Sequence, residues 1–194
     1  PEVLNSSICS QKTIRDVKMY FMSNVPSLLM WFDMEKMEKV ILNLLSNAYK
    51  FTPDRGSVIL KIDYKKKLSK LYVSVVDSGV GIKPEDQSQV FQRFSNINST
   101  NYSNQGGSGI GLSLVKEYVN LHNGDISFKS KVGKGSEFTF DIPTNKDSYF
   151  DYVEKKLENE NIDKNRLENF NKKLKDNSLV IIENKKLPLM LIVE

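Results

Sequence analysis

Two asparagines and a lysine on one predicted helix are the first residues whose types and spacing suggest chemistry. Asn43 and Asn47 are four residues apart, and Lys50 lies seven residues after Asn43. At about 100° per residue, the three side chains share one stripe of the helix, beside its apolar face. Amide oxygens are hard ligands that suit a magnesium ion, and a nearby lysine neutralises phosphate charge. An ordinary solvated helix face has the same spacing, so the stripe alone leaves both interpretations open.

A carboxylate at the end of an apolar run is the second candidate. Asp77 directly follows the run 71–76 and precedes the sequence Ser-Gly-Val-Gly at 78–81. Ligands often bind at strand ends, and paired glycines let the backbone approach a flat ligand closely. A carboxylate there can accept a hydrogen bond from the exocyclic amine of adenine, whereas guanine would present an acceptor. The pattern favours ATP over GTP, with a plain Asp-Ser-Gly turn as the alternative.

A glycine-rich stretch that opens a predicted helix is the third candidate. Gly106 and Gly107 lie near the end of a polar segment of small residues, 95–108, and Gly109 and Gly111 follow it. Such a polar segment cannot bury enough apolar surface to hold one conformation, so we expect a moving loop. The N-terminus of a helix suits phosphate binding. A Walker phosphate loop is excluded because no Gly-Lys-Ser/Thr follows, and a dinucleotide fingerprint is disfavoured because no strand precedes the glycines.

The elements that must position these candidates alternate between strand and helix periodicity. Asp33 is a predicted N-cap, and the sequence Thr52-Pro53 ends the helix that begins after it. Pro84 suits the first turn of a short helix. The predicted helices cover 33–51, a short segment from Pro84, and 110–121, and the predicted strands cover 14–23, 28–32, 58–64, 71–76, 125–130 and 136–142.

Composition and charge narrow the class of protein. The 194 residues are 39% hydrophobic and 27% charged, as in a soluble globular protein, and no apolar run is long enough to span a bilayer. The net charge of +4 comes from lysines interspersed with acidic residues, which argues against nucleic acid as a partner. A single cysteine, Cys9, excludes an intramolecular disulfide and fits a reducing compartment.

Taken in order, these motifs resemble the catalytic ATP-binding domain of sensor histidine kinases. The resemblance covers about residues 30–143. It includes an asparagine box, a first glycine box, a phenylalanine box, a second glycine box and a last strand. These are NLLSNAYKFTP (43–53), DSGVGI (77–82), VFQRF (90–94), GGSGIGLSLVK (106–116) and GKGSEFTFDIP (133–143).

The resemblance implies the two-layer α/β sandwich of the histidine kinase and gyrase-type ATPase superfamily, a mixed sheet with helices on one face and a mobile ATP lid. It also implies ATP and Mg²⁺ as ligands. By this resemblance Asn47 ligates magnesium with Asn43 assisting, Lys50 contacts phosphate, and Phe51 lines the adenine pocket.

The resemblance assigns the remaining site residues to the base pocket and the lid. Asp77 would bind the adenine amine, and Gly79, Gly81 and Ile82 would shape the base pocket. The hinge and phosphate-facing end of the lid would contain Gly107, Ser108, Gly109, Gly111 and Leu112. Phe91 and Phe94 are expected to pack at the base of the lid. Many relatives carry a basic residue where this chain has Asn96, so a phosphate contact there is not expected.

The implied reaction is transfer of the γ-phosphoryl group of ATP to a histidine in two-component signal transduction. The sole histidine, His122, ends a predicted helix, where it can cap carbonyls and favour the helix dipole, so we expect a structural role. The phosphoacceptor histidine and its dimerisation domain are expected upstream of Pro1. A hydrolytic ATPase of the superfamily would need a glutamate at the place of Asn43 as general base. A regulatory nucleotide-binding module that has lost the transfer activity is the second alternative.

The sequence also predicts the organisation of the chain. We expect a catalytic domain at 1–144, a charged helical linker at 145–178, and a strand-like tail at 179–194 that resembles the start of a truncated receiver domain. The apolar run 187–193 is expected to form a hairpin with 179–183, add to a sheet edge or swap between chains. The chain begins without methionine or an apolar signal segment, so we expect a piece of a longer hybrid kinase. We expect its parent to be a membrane-anchored bacterial homodimer, with this part in the cytoplasm.

Overall fold

The helices and strands are those of a computed structural model, which describes residues 2–4, 16–95, 109–145, 148 and 180–181. The strands are β1 (Glu2–Leu4), β2 (Lys18–Ser23), β3 (Leu29–Met30), β4 (Ser57–Lys65), β5 (Lys70–Asp77), β6 (Asp125–Lys131), β7 (Gly135–Pro143) and β8 (Val180–Ile181). The helices are α1 (Met34–Phe51), α2 (Pro84–Gln87) and α3 (Gly111–Leu121).

One mixed sheet of order β1-β2-β4-β5-β7-β6 carries the described fold. Strand β2 runs parallel to β4, and the other neighbouring strands of this sheet are antiparallel. The predicted hairpins are confirmed as β4 with β5 and β6 with β7. Strand β5 pairs with β4 on one side and β7 on the other, so Asp77 lies at the end of a central strand.

Helix α1 has the predicted caps. The side chain of Asp33 accepts a hydrogen bond from the backbone N–H of Lys36 at 3.1 Å, which confirms the N-cap. At the other end Thr52 is extended, as expected for a residue before proline. The buried stripe of α1 consists of Met37, Val40, Leu44 and Ala48.

The hydrophobic core lies between the sheet and the helices. Alternate residues of the sheet, such as Val73, Val75 and Phe140, are buried in one cluster with Val40 of α1 and Val115 of α3. Both long helices therefore cover one face of the sheet, and the predicted two-layer α/β sandwich is confirmed.

The opposite face of the sheet is polar. Lys70 pairs with Asp141 at 2.5 Å between Nζ and Oδ1, and the hydroxyls of Ser74 and Thr139 are 2.8 Å apart. These cross-strand pairs give the second face a polar surface, and neither of the long helices α1 and α3 packs on it.

The short strands differ from their prediction. Only Leu29–Met30 of the predicted strand 28–32 has strand structure. The rest of this run is apolar because it packs: Leu28 and Phe32 lie against the core, and Phe32 comes just before the N-cap of α1. Strand β1 was not predicted from the sequence.

Part of the predicted tail pairs with this short strand. Val180–Ile181 is antiparallel to β3, with Leu29 opposite Ile181 and Met30 opposite Val180. The run 187–193 and nearly all of the predicted linker 145–178 lie outside the described residues. Among the described helices, none combines the length and apolarity that a membrane span requires.

Candidate functional site

Asp77 is a buried carboxylate that is only partly satisfied by hydrogen bonds. The residue is only 8% exposed. Its Oδ1 accepts hydrogen bonds from the backbone N–H groups of Gly79 at 2.8 Å and Ser136 at 3.2 Å. Burial raises the pKa of Asp77, and the two backbone hydrogen bonds oppose that rise. Its Oδ2 accepts no hydrogen bond from the part of the chain that the structure describes, so it is available to a donor on a ligand.

The glycines after Asp77 allow the backbone to pack closely on both sides. A β-carbon at Gly79 would collide with the carbonyl oxygen of Phe51, at the end of α1. Gly81 has φ +71°, and a β-carbon there would collide with the carbonyl oxygen of Lys131. Both positions therefore require glycine, one for space and one for space and conformation.

Hydrogen bonds hold this loop between α1 and the β6–β7 turn. The N–H of Val80 donates to the carbonyl of Phe51 at 3.3 Å, and the N–H of Gly133 donates to the carbonyl of Val80 at 2.8 Å. The structure thus brings together four of the predicted pocket residues: Phe51, Asp77, Gly79 and Gly81. Ile82 continues the loop and packs partly against the core.

The asparagine stripe of α1 faces the start of α3. The amide nitrogen of Asn43 donates to the carbonyl of Lys39 at 2.7 Å. Its amide oxygen lies so close to Gly111 that a β-carbon there would be 2.7 Å away. One helical turn later, Asn47 is half-buried and makes no side-chain hydrogen bond with the described residues. The Nζ of Lys50 lies 5.1 Å from the centre of the Phe51 ring.

The two ends of the predicted lid meet at a backbone hydrogen bond. The N–H of Phe94 donates to the carbonyl of Gly109 at 2.9 Å, and Gly109 has φ +67°. Leu112, just inside α3, packs against the core. The predicted site residues Gly107 and Ser108 lie outside the described residues, and so does Asn96.

The two phenylalanines of the VFQRF motif have different environments. Phe91 packs edge-on against Phe128 and Phe138, with ring centres 5.8 Å and 6.4 Å away, as expected for the base of the lid. The side chain of Phe94 is 70% exposed, so its expected packing was wrong. The physical reason is its left-handed backbone, φ +63°, which pairs with Gly109 while its side chain stays exposed.

His122 has a structural position at the junction of the two long helices. It is 5% exposed, its Nδ1 lies 2.7 Å from the carbonyl of Tyr118, and its Nε2 accepts the N–H of Asp33 at 3.1 Å. The expected carbonyl cap is confirmed. Because Nε2 acts as an acceptor, the ring is neutral with its proton on Nδ1, so the expected favourable charge at the helix dipole is replaced by two hydrogen bonds.

Sequence reasoning missed the partners of Asp77 and Ile82 in the β6–β7 hairpin. Ser136 binds Asp77 through its backbone N–H, which any residue type could supply at that position. Ser130 accepts the N–H of Ile82. The alignment of β5 with β7 and of β6 with β7 brings these groups to the loop, and no sequence motif specifies that alignment.

Comparison with known proteins gives the same assignment along the chain. Residues 32–146 match the family described as histidine kinase-, DNA gyrase B- and HSP90-like ATPase. The chain is 38% identical over 136 residues to the sensor histidine kinase WalK of Bacillus subtilis (strain 168), which covers 69% of this chain and 22% of WalK. The chain therefore spans about a fifth of the length of that curated relative.

Two solved structures share the fold. The mycobacterial sensor histidine kinase MprB is 26% identical with a TM-score of 0.53, over 66% of this chain and 82% of that chain. The full-length ShkA in complex with AMPPNP is 26% identical with a TM-score of 0.54, over 66% of this chain and 25% of that chain.

The family match contains the asparagine stripe, the buried Asp77 and its glycine loop, and the base of the lid. WalK and MprB are both sensor histidine kinases. The chain belongs to the histidine kinase-, DNA gyrase B- and HSP90-like ATPase family, and its matched region is a catalytic ATP-binding domain of the histidine kinase type.

Proposed function

We propose that this domain binds Mg-ATP and donates the γ-phosphoryl group to a histidine of a dimerisation domain outside this chain, in two-component signal transduction. The observation that carries the proposal is the carboxylate of Asp77. It is buried, its Oδ1 is held by two backbone N–H groups, and its Oδ2 lacks a donor among the described residues. A buried carboxylate without a full set of donors is costly, and an exocyclic amine of a bound base would supply the missing donor.

The same carboxylate supports a preference for adenine. Adenine presents an amine to Asp77, whereas guanine presents a carbonyl oxygen at the equivalent ring position. Two acceptors that face each other without water leave both unsatisfied. The solved structure of ShkA with AMPPNP, an analogue of ATP, supports an adenine nucleotide as the ligand of this fold.

The residues of α1 fit a hydrated magnesium ion beside phosphates. Asn47 has a half-buried amide with no partner among the described residues, and it is the proposed ligand. Asn43 would assist, and Lys50 would contact phosphate. A bound ion would neutralise phosphate charge, and amide oxygens are ligands that tolerate its remaining water ligands.

The start of α3 is the proposed phosphate side of the lid. Gly111 lies directly across from Asn43, and its lack of a side chain keeps the helix N-terminus close to the asparagine stripe. Free N–H groups of a first helical turn favour phosphate oxygens. Gly107, Ser108, Gly109 and Leu112 are proposed to complete this side.

Asn43 argues against hydrolysis as the main reaction. An activated water needs a general base, and an amide cannot accept a proton at neutral pH. In this chain the amide nitrogen of Asn43 also donates to the carbonyl of Lys39, and this hydrogen bond fixes the orientation of the amide. A regulatory module that binds nucleotide without transfer remains the alternative from a different class.

The partners and the location of the parent protein belong to the same proposal. The phosphoacceptor and dimerisation domain would precede this chain, and a receiver domain would follow the tail at 179–194. The domain boundary at 144 is supported by the family match, which ends at residue 146. We propose a membrane-anchored homodimer that acts in the cytoplasm and does not bind nucleic acid.

The test is phosphoryl transfer from ATP labelled at the γ-phosphate. The chain is incubated with labelled ATP and Mg²⁺, with and without a separate dimerisation domain that carries a phosphoacceptor histidine. Label on the added domain, and none on this chain, is the expected result. Rapid release of labelled phosphate by the chain alone would instead establish an ATPase, and tight ATP binding with neither outcome would establish a regulatory module.

A further inference from the structure

The backbone of Ile82 is held by two side chains. Ile82 belongs to neither a helix nor a strand. Its N–H donates to the hydroxyl of Ser130 at 2.8 Å, and its carbonyl accepts the side-chain amide of Gln87 at 3.1 Å. The same amide of Gln87 reaches the carbonyl of Ser130 at 3.4 Å. The backbone N–H and the carbonyl of Ile82 are therefore both hydrogen-bonded to side chains. A single substitution can remove either hydrogen bond.

The hydroxyl of Ser130 has three partners, which matches its full capacity. It donates to the carbonyl of Gly135 at 3.1 Å, accepts from Ile82, and lies 2.9 Å from the hydroxyl of Ser136. A hydroxyl has one proton and two lone pairs. With its proton given to Gly135, Ser130 accepts from both Ile82 and Ser136. The proton and both lone pairs of this hydroxyl are therefore used in hydrogen bonds. The hydroxyl joins β6, the start of β7 and the loop that contains Ile82.

This point connects the two ends of the proposed base pocket. Ser136 donates its N–H to Asp77 Oδ1 at 3.2 Å, and it is also the cross-strand partner of Asp77 in the sheet. Through Ser136 the hydroxyl of Ser130 is coupled to Asp77, at the start of the loop. Through its own hydrogen bond it holds Ile82, at the end of the loop.

We infer that Ser130 is a positioning residue for adenine recognition, and that Gln87 assists it. Ser130 sets the distance between Asp77, the proposed partner of the adenine amine, and Ile82, which is expected to shape the base pocket. This inference rests on the proposed adenine site. It adds a residue on β6 that lies outside all five sequence motifs and that touches no part of the proposed nucleotide.

The test compares Ser130→Thr with Ser130→Val, which differ by the hydroxyl and have nearly the same shape. Affinities for ATP and GTP are measured by titration calorimetry on the whole chain, together with the midpoint of thermal unfolding. Loss of the hydroxyl leaves the N–H of Ile82 unsatisfied and the loop free to shift. We expect Ser130→Val to weaken ATP binding about tenfold while GTP binding stays weak and unchanged, and Ser130→Thr to bind ATP within about twofold of the wild type.

The matched control is Thr139→Val, which removes a hydroxyl from a similar pair on the other face of the sheet. Thr139 and Ser74 have hydroxyls 2.8 Å apart, and both residues are half-buried, as Ser130 is. This variant is expected to lower the unfolding midpoint about as much as Ser130→Val, and to leave ATP affinity unchanged. A role of Ser130 in stability alone would make the two variants indistinguishable in ATP binding.

Two further variants separate the possible failures. If Ser130→Val does not fold, Gln87→Met removes the other half of the same contact, and an unchanged ATP-to-GTP ratio in that variant would overturn the inference. Equal losses in Ser130→Thr and Ser130→Val would also overturn it. Asp77→Asn is measured in parallel. If Asp77→Asn weakens ATP binding and Ser130→Val does not, the inference about Ser130 is refuted and the adenine site is retained. If Asp77→Asn binds ATP as tightly as the wild type, the proposed adenine site itself is refuted.

Discussion

At the scale of single residues, the site depends on a carboxylate that the fold holds at a cost. Burial is the largest influence on Asp77 and raises its pKa, while the N–H groups of Gly79 and Ser136 act in the opposite direction. A carboxylate whose pKa is raised in the folded state is less favourable there than in the unfolded chain when it is ionised. The residue that we propose to select the base is therefore one that weakens the fold in the absence of ligand.

Asp77→Asn is expected to separate binding from stability. Asparagine keeps an oxygen for the N–H groups of Gly79 and Ser136 but offers no charged acceptor to the adenine amine. We expect ATP affinity to fall about 10- to 100-fold, as for the loss of a hydrogen bond to a charged group. The folded chain without nucleotide is expected to be at least as stable as the wild type at pH 7.

The stability difference should depend on pH in one direction. Below the usual Asp pKa of 3.8 the wild-type carboxyl is neutral in both states, so it costs nothing. The penalty develops as the pH rises from there through the raised pKa of the folded state, and the asparagine variant does not have it. Urea unfolding of both chains across this range is the measurement. Glu38→Gln, on the exposed face of α1, removes a charge without burial and is the control. An advantage of Asp77→Asn that grows towards acid pH would contradict this account.

Sequence reasoning at this scale could name Asp77 but not its partners. A carboxylate before a glycine pair at a strand end is visible in the letters of the sequence. The donors on Ser136 and the hydroxyl of Ser130 come from strands about 50 to 60 residues later, and their place depends on strand alignment. Phe94 shows the same limit, because its exposure follows from a left-handed backbone that no motif specifies.

At the scale of elements, the long and capped segments were predictable and the short ones were not. Helix α1 has an N-cap, an apolar stripe and a proline stop, and these signals agree with one another. Strands β1 and β3 contain three and two residues, too few for any periodicity to register. The apolar run 28–32 was interpreted as a strand. A buried segment that leads into a helix can have the same apolar composition as a buried strand, so composition does not distinguish them.

The base of the proposed lid can be tested by substitution of a glycine. Gly109 and Gly133 both have positive φ, +67° and +73°. A β-carbon at Gly109 would lie 2.9 Å from the backbone of Phe94, whereas a β-carbon at Gly133 would meet nothing within 4 Å. The two positions therefore share a conformational cost and differ in steric clash.

Gly109→Ala is expected to disturb the lid, and Gly133→Ala is its control. Both should lose about 1–2 kcal/mol from the left-handed backbone. Only Gly109→Ala should also break the hydrogen bond between Phe94 and Gly109 and weaken ATP binding, by about fivefold or more. Unfolding in urea measures the free energy of unfolding, and calorimetric titration measures the ATP affinity. Equal ATP affinities in the two variants would mean that the hinge does not contribute to the nucleotide site.

At the scale of the whole molecule, the catalytic domain has its core within a continuous stretch of chain. Every buried apolar residue of the described core lies between Met30 and Ile142. The pairing of β3 with Val180–Ile181 is a two-residue ladder that meets this core at Met30. Leu29, on β3, is still 55% exposed. The described part of the tail therefore meets the domain through this short ladder.

Truncation after Asn145 is expected to leave a folded domain that binds ATP. The lost β8 ladder offers at most a few backbone hydrogen bonds, each with a net value of about 1 kcal/mol, so the free energy of unfolding should fall by about 2 kcal/mol or less. ATP affinity should stay within about twofold, because every described residue of the proposed site precedes residue 145. Truncation after Lys134 is the matched comparison. It removes β7 and with it the neighbour of β5 and the donor from Ser136 to Asp77, so that chain should not fold. If removal of residues 146–194 abolished ATP binding or cooperative unfolding, the proposed boundary at 144 would be wrong, and the tail would belong to the catalytic domain.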